Sequence, residues 1–412
     1  MSTPSHARTR PKRPLGHRAQ PWATVDEAYG EPPLRAELLT ADQMQRHGKS
    51  LAAAHAWELT RAADRLLPRL ADNRRTLAAV CALLCEGEGP QRRTTPAGEW
   101  LVDNAYLLQE ETRAAQRFLP PGYSRELPRL SAGPGRGLPR VYDLAVQSVA
   151  HGDGRLELVS LTGFVAAYQT VSPLLLGELW AIAIMLRLAL VENLRRVAVR
   201  VARSRADANL AAQWADRMFE VADREPKGLI LVVADMARSE PPMTPSFVAE
   251  LVRRLHGHSA ALALPLTWLE QRLAETHQNA EQLVQLEAQH QAAEQVSVSN
   301  SIGSLRLLAG TDWPAFVEEL STVERTLRGD PAGVYARMDF ATRDAYRHAV
   351  ERIARDSVAS EDAVAQAAVA LAGEAAPRCA PDGDARQAHV GYHLVGPGRA
   401  ATEARIGRRL GT

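Results

Sequence analysis

Several residue groups in this 412-residue chain have the types and spacing that reactive sites use. Gly48-Lys49-Ser50 ahead of an apolar run resembles the tail of a phosphate-binding loop, and LVVAD at 231–235 imitates the acidic strand that accompanies one. The complete loop needs glycine at position 43, where Gln43 stands, so nucleotide hydrolysis is not expected. Gly48 reads instead as a loop or helix-end residue. Cys81 and Cys85 are four apart and Cys379 is remote; without a second Cys or His pair at ligand spacing they give no metal site. His389 and His393, with Tyr392 between, would share a face if helical, but Gly391 and Pro397 favour a short extended stretch with a structural role. Asp339, Arg343, Asp344 and His348 form an acid–base cluster on paper, yet Asp339–Arg343 and Asp344–His348 have the i,i+4 spacing of ordinary helical pairs.

Carboxylates are also gathered along residues 95–118: Glu99, Asp103, Glu110 and Glu111. Two carboxylates on one helix can serve acid–base chemistry, but a solvated or subunit-facing polar edge is the simpler reading. No catalytic, cofactor-binding or metal-ligating residue is assigned. Glu99, Asp103, Arg125, Glu126, Glu178, Arg187, Glu192 and Arg196 are candidate structural or interface polar residues.

The element that must position these groups is the stretch 173–203, PLLLGELWAIAIMLRLALVENLRRVAVRVAR. It has neither Gly nor Pro after Gly177 and is apolar over most of its helical circumference, so it must be surrounded. Lipid does not fit: the apolar run 179–186 is eight residues long and ends at Arg187, whereas a span needs about 20. Arg187 falls on the Trp180 side and is expected to find a buried carboxylate or carbonyl partner.

Around it the helical periodicity predicts an all-α fold, a multi-helix bundle or irregular helical array with a central buried helix at 174–203. Residues 34–67, 70–86, 95–118, 139–151, 157–170, 206–222, 229–237, 245–255, 264–296, 313–323, 342–355 and 360–373 read as helical, with 123–128 extended and a break at 297–301. The expected organisation is a disordered basic arm (1–33), helical subdomains at 34–240 and 241–375, and a loop-like tail (376–412). The net charge of +1 excludes a general nucleic-acid binder. The arm, with Arg8, Arg10, Lys12, Arg13 and Arg18, has no apolar segment and is not a signal peptide; it is suited to a peripheral contact with anionic headgroups.

The order GEWLVDN (98–104), FLPPGYSRELPRL (118–130), RVYDLA (140–145), LTGFVAAYQTVSPLLLGELWAIAIMLRLALVENLRR (161–196), DPAGVYARMDFATRDAYRHAVERIAR (330–355) and HVGYHLV (389–395) resembles the cyclic β-1,2-glucan synthases, in the region preceding their first membrane span. The resemblance covers about residues 40–400 and implies a cytoplasmic helical region at the inner face of a bacterial inner membrane. In that family a transferase of glycosyltransferase family 84 uses UDP-glucose and a divalent metal, with aspartates and a Gln-x-x-Arg-Trp element. Here there is no Gln-x-x-Arg-Trp, and Asp382-Gly383-Asp384 sits in a Gly/Pro-rich stretch. The carboxy-terminal phosphorylase-like domain also has no counterpart, so no catalytic residue carries over and no cofactor is expected. The implied function is a non-catalytic scaffold, with the transferase and membrane portion, another protomer or glucan as partners. The alternative is a free-standing helical binding or regulatory protein.

Overall fold

The computed structural model describes residues 31–60, 63–86, 95–119, 122–257, 262–376 and 385–407. The basic arm up to residue 30, residues 87–90, Cys379 and Asp382-Gly383-Asp384 lie outside the described residues. The chain is all-α, as expected. From the amino-terminal side come α1 (Ala41–Ala54), strand β1 (Trp57–Glu58), α2 (Leu66–Cys85), α3 (Pro96–Asp103), α4 (Ala105–Phe118) and the single turn α5 (Tyr123–Glu126). Strand β2 (Arg129–Leu130) pairs antiparallel with β1, Trp57 opposite Leu130 and Glu58 opposite Arg129. Then follow α6 (Arg140–His151), α7 (Leu158–Gln169), α8 (Leu176–Arg224), α9 (Leu229–Arg238), α10 (Pro245–Leu255), α11 (Ala263–Ala274), α12 (Ala280–Gly310), α13 (Trp313–Leu320), α14 (Thr322–Leu327), α15 (Phe340–Arg355), α16 (Glu361–Ala375), α17 (Val390–Leu394) and α18 (Arg399–Ile406).

The central helix is longer than the sequence suggested. Helix α8 has 49 residues, about 70 Å at 1.5 Å per residue, and absorbs the separate helix expected at 206–222. Nothing between Arg203 and Asp207 can break it, since the backbone there carries neither Gly nor Pro. Its first part is buried on nearly all sides, Ala181 to Leu194 included apart from the partly buried Arg187, within the main core formed with α1–α4, α6, α7, α12 and α13. Trp180 is partly buried, edge-on to Phe340 at 6.3 Å between ring centroids. The last part, through Ala211, Trp214, Ala215 and Met218, enters a second core with α9, α10 and α11. A third core gathers α14–α18 around Leu327, Tyr335, Val350, Ile353 and Leu394.

Other boundaries move for local reasons. The stretch 34–67 is not one helix: Thr40 opens α1 with a reciprocal cap to Gln43, and the chain turns extended at His55. Asn104 divides the expected 95–118 helix into α3 and α4, while Thr95 caps α3 with Pro96 in its first turn, as its sequence demands. Residues 123–126 form a turn of helix after Gly122, whose φ of 97° suits glycine. The break expected at 297–301 instead falls at 275–279, where His277 has φ 56° and Asn279 caps α12. Residues 390–394 are helical rather than extended. Helix α9 exposes Ile230 and Leu231, so it is buried on one side only.

Gly48 is neither loop nor helix end. It lies inside α1 where that helix crosses α7, and a Cβ there would stand 2.8 Å from the carbonyl oxygen of Phe164.

Candidate functional site

Three buried polar centres lie along the first part of α8. At its first turn, Arg140 of α6 donates Nε to Glu178 Oε1 and Nη2 to Glu178 Oε2, both at 2.7 Å, with neither side chain exposed. The guanidinium also donates to Ser172 Oγ and Pro173 O, each at 2.8 Å, and lies 4.3 Å from the centre of the Trp57 ring. The second Glu178 oxygen accepts the Leu175 N–H at 2.9 Å, so the same carboxylate caps the helix.

The second centre is Arg187. Its Nε donates to Glu111 Oε2 of α4 at 2.9 Å and its Nη2 to Leu308 O of α12 at 3.3 Å. Glu111, read in sequence as part of a polar edge, is 7% exposed.

The third centre is Glu192, 1% exposed. It accepts from Arg69 Nη2 at 2.7 Å, Asn73 Nδ2 at 2.8 Å, Arg195 Nη2 at 2.9 Å and Arg196 Nε at 2.7 Å. Burial pushes this carboxyl up, but the guanidinium of Arg69, with that of Arg195, outweighs it and holds the group well below the usual carboxylate range. Arg196 also donates to Pro32 O at 2.9 Å, and Glu31 pairs with Arg69 and Arg195. Beside it, Asn193 donates to Ser297 Oγ at 3.1 Å and Ser301 Oγ at 3.2 Å, and accepts the Leu34 N–H at 2.8 Å.

The remaining candidates do not join these centres. Glu99 and Asp103 are exposed on α3, and Arg125 and Glu126 are exposed on α5. Glu126 stands 3.8 Å from Arg355. Helices α3 and α4 also expose Trp100, Tyr106 and Phe118.

A fourth centre was not singled out from sequence. Arg347 of α15, wholly buried, donates Nη1 to Glu324 Oε2 at 2.6 Å and Glu318 Oε1 at 3.0 Å, and Nη2 to Asp344 Oδ1 at 3.0 Å. The Tyr335 hydroxyl donates to Glu324 Oε2 at 2.6 Å. The signal was present, because Arg347 lies on the apolar stripe of Val350 and Ala354, the same argument that singles out Arg187. Arg343 takes Glu318, at 3.0 and 2.8 Å, rather than Asp339. Asp339 instead caps α15 through the Thr342 N–H, while Asp344 and His348 do pair, at 3.3 Å.

The two late histidines serve different partners. His389 Nδ1 meets Asp330 Oδ2 at 2.8 Å, and His393 Nε2 meets Gln387 O at 2.9 Å. Among the described residues no three His, Cys, Asp or Glu side chains are placed to hold a metal ion. Burial pushes the Cys81 thiol up to about 11, which keeps it protonated and unreactive at neutral pH. Chemically these centres can clamp helices to one another. Each buried carboxylate of the three α8 centres is already engaged by guanidinium donors.

No protein-family model matches the chain. Over 313 residues, 76% of its length, it is 35% identical to the cyclic β-(1,2)-glucan synthase NdvB of Rhizobium meliloti (strain 1021). The chain spans 11% of the length of that curated relative. The likeness read from the order of sequence blocks is therefore a relationship to one stretch of such a synthase. No helix among the described residues is long and apolar enough to cross a membrane.

Proposed function

We propose that this chain, related to one stretch of a cyclic β-(1,2)-glucan synthase, is a non-catalytic helical scaffold in glucan synthesis. It would present a polar and aromatic edge to the transferase and membrane portion of a synthase, or to a second protomer. The observation that supports this reading is a division among its polar groups. Glu178, Arg187 and Glu192 of α8 are closed into guanidinium–carboxylate clamps, whereas Glu99 and Asp103 stand exposed on α3, which also exposes Trp100, with Tyr106 exposed at the start of α4. Aromatic side chains with a polar surround are the composition of protein–protein contact surfaces. Sugar-nucleotide transfer needs the diphosphate charge neutralised by a metal or a cationic pocket, and none of these clamps offers a free cation. The basic arm is proposed to add a peripheral contact with anionic headgroups.

The test has two arms. Purified chain with labelled UDP-glucose and Mg²⁺ or Mn²⁺, with and without an oligoglucan acceptor, is expected to release no UDP above a heat-killed control. Co-expressed with the transferase portion of a related synthase, it is expected to co-purify with it, less so after Trp100→Ala and Tyr106→Ala. Metal-dependent UDP release with glucan product would overturn the scaffold reading.

A further inference from the structure

A cleft of about 370 Å³ opens where α5, the start of α8 and the turn between α15 and α16 meet. Tyr123, Leu127, Pro128, Leu175 and Ala359 form its less polar walls. Tyr123 is fixed in place, its hydroxyl donating to Gly177 O at 2.9 Å.

Residues carrying four carboxylates border this space, Glu126 of α5, Glu178 of α8, Glu351 of α15 and Glu361 of α16, the Glu178 side chain itself being wholly enclosed. Glu178 is neutralised by Arg140. The other three face a single lining cation, Arg355, whose Nη2 donates to Glu351 Oε1 at 2.9 Å and whose Nη1 stands 3.8 Å from Glu126. Glu361 is 8% exposed, and its Oε2 accepts the Leu176 N–H at 2.9 Å. That donor is the first N–H of α8, whose helix end offsets only part of a full charge, so a buried carboxylate here stays under-compensated. Burial, with Glu351 and Glu178 nearby, pushes its acid up to about 7.

The missing charge is positive, and the geometry chooses which kind of cation. A metal ion needs ligand atoms converging on one point, and no such convergence exists among the described residues. These carboxylates surround a space instead, one of the size used by small-molecule sites, with hydrocarbon along its walls. We propose that the cleft binds an organic cation, an alkylguanidinium or alkylammonium, its charge between Glu351 and Glu361 and its stem along Leu127 and Pro128. Planar N–H donors satisfy two carboxylates at once, and the apolar stem replaces water against the walls. This inference does not depend on the scaffold reading.

Binding would be linked to protons. The groups around the site are Glu126, Glu351, Glu361, Arg355, the Tyr123 hydroxyl and the Leu176 N–H, with Glu178 wholly enclosed in its pair with Arg140. Of these, Glu361 must lose its proton to receive a cation as a carboxylate, so affinity should rise with pH through about 7.

Isothermal titration of the full chain with agmatine tests the site, with n-butanol as the neutral control and the capped tripeptide Gly-Arg-Gly as a side-chain donor. Agmatine is expected to bind saturably, more tightly at pH 8 than at pH 6, and n-butanol not to bind. Glu361→Gln should weaken agmatine on the order of tenfold or more and flatten the pH dependence. Glu351→Gln gives a second reading if Glu361→Gln proves poorly folded by circular dichroism, and Glu126→Gln, at the exposed rim, should weaken binding less. A tripeptide tighter than agmatine would point to a partner protein's side chain, and a weaker one to a free amine. Either supports the site. No binding of either cation, equal binding of n-butanol, or agmatine affinity unchanged in both Glu361→Gln and Glu351→Gln would overturn it.

Discussion

Arg140 and Glu178 meet through two parallel hydrogen bonds of 2.7 Å with no part of either side chain exposed. The pair joins α6 to the first turn of α8, and through the Trp57 ring it also touches the two-stranded ribbon. An ion pair so deeply placed is costly to desolvate and far costlier to break. Glu178→Ala should therefore cost about 3–5 kcal/mol in denaturant unfolding, because it strands a buried guanidinium. The double variant Arg140→Met with Glu178→Leu should recover most of that loss. A double variant as unstable as the single one would show that the pair itself, not the stranded charge, carries the stability.

Leu190 is wholly buried in the first part of α8, within the main core. Truncation to Ala leaves a cavity that surrounding helices cannot close, and should cost about 2–5 kcal/mol. Thermal unfolding of the variant beside the parent measures it.

Gly48→Ala tests a close helix crossing. Alanine favours an isolated helix by about 1 kcal/mol over glycine, but its Cβ would press on the Phe164 carbonyl oxygen at 2.8 Å. Backbone cannot yield as a side-chain tip can. The substitution should destabilise by about 1–3 kcal/mol, the usual cost of overpacking. A stabilised variant would mean that α1 and α7 can separate freely.

Asn193→Leu removes the group that Ser297, Ser301 and the Leu34 N–H share. Leaving buried polar groups without partners costs about 1–3 kcal/mol. The loss should be felt first at residues 31–39, so limited proteolysis there should quicken before global unfolding does.

Glu294 carries a pH dependence. It is 3% exposed and paired with Arg200 at 3.1 Å. Burial, with Glu287 nearby, pushes its acid up to about 7 despite Arg200. A raised carboxyl means the folded state holds the proton more tightly than the unfolded state. The stability this gives is present at pH 4.5 and below, and is lost as pH rises from there to 7. Glu294→Gln should thus raise stability at pH 8, on the order of 2 kcal/mol, and remove that part of the slope. His348 acts in a higher window. The Asp344 hydrogen bond raises it to about 9, so its contribution is complete below 6.5 and fades between 6.5 and 9.

Features set by neighbouring residues were legible before the structure. Thr95, Pro245 and Trp313-Pro314 mark helix starts through local chemistry, and the apolar circumference of α8 announces burial by itself. Features set by distant residues were not. Ser297 and Ser301 look like a helix break because serine competes for backbone bonds; Asn193, more than a hundred positions away, engages both hydroxyls and the helix continues. Gly48 looks like a terminus until Phe164 explains its missing side chain. Arg187 could be recognised as needing a partner, but that the partner is Glu111 depends on how α4 crosses α8. The exposed Glu99, Asp103, Arg125 and Glu126 carry no packing constraint that would identify their purpose from sequence alone.

The length of α8 has a mechanical consequence. Its upstream residues are clamped in one core and its downstream residues, from Ala211 to Met218, sit in another. Kinks in helices occur at proline, at glycine or where a side chain invades the backbone ladder, and α8 has no proline and no glycine beyond Gly177. It therefore behaves as a lever with no joint. A partner pulling on α9 and α10 would deliver its torque to Glu192 and Arg187, so the two cores can tilt together but cannot swivel independently unless a stretch of α8 melts between them.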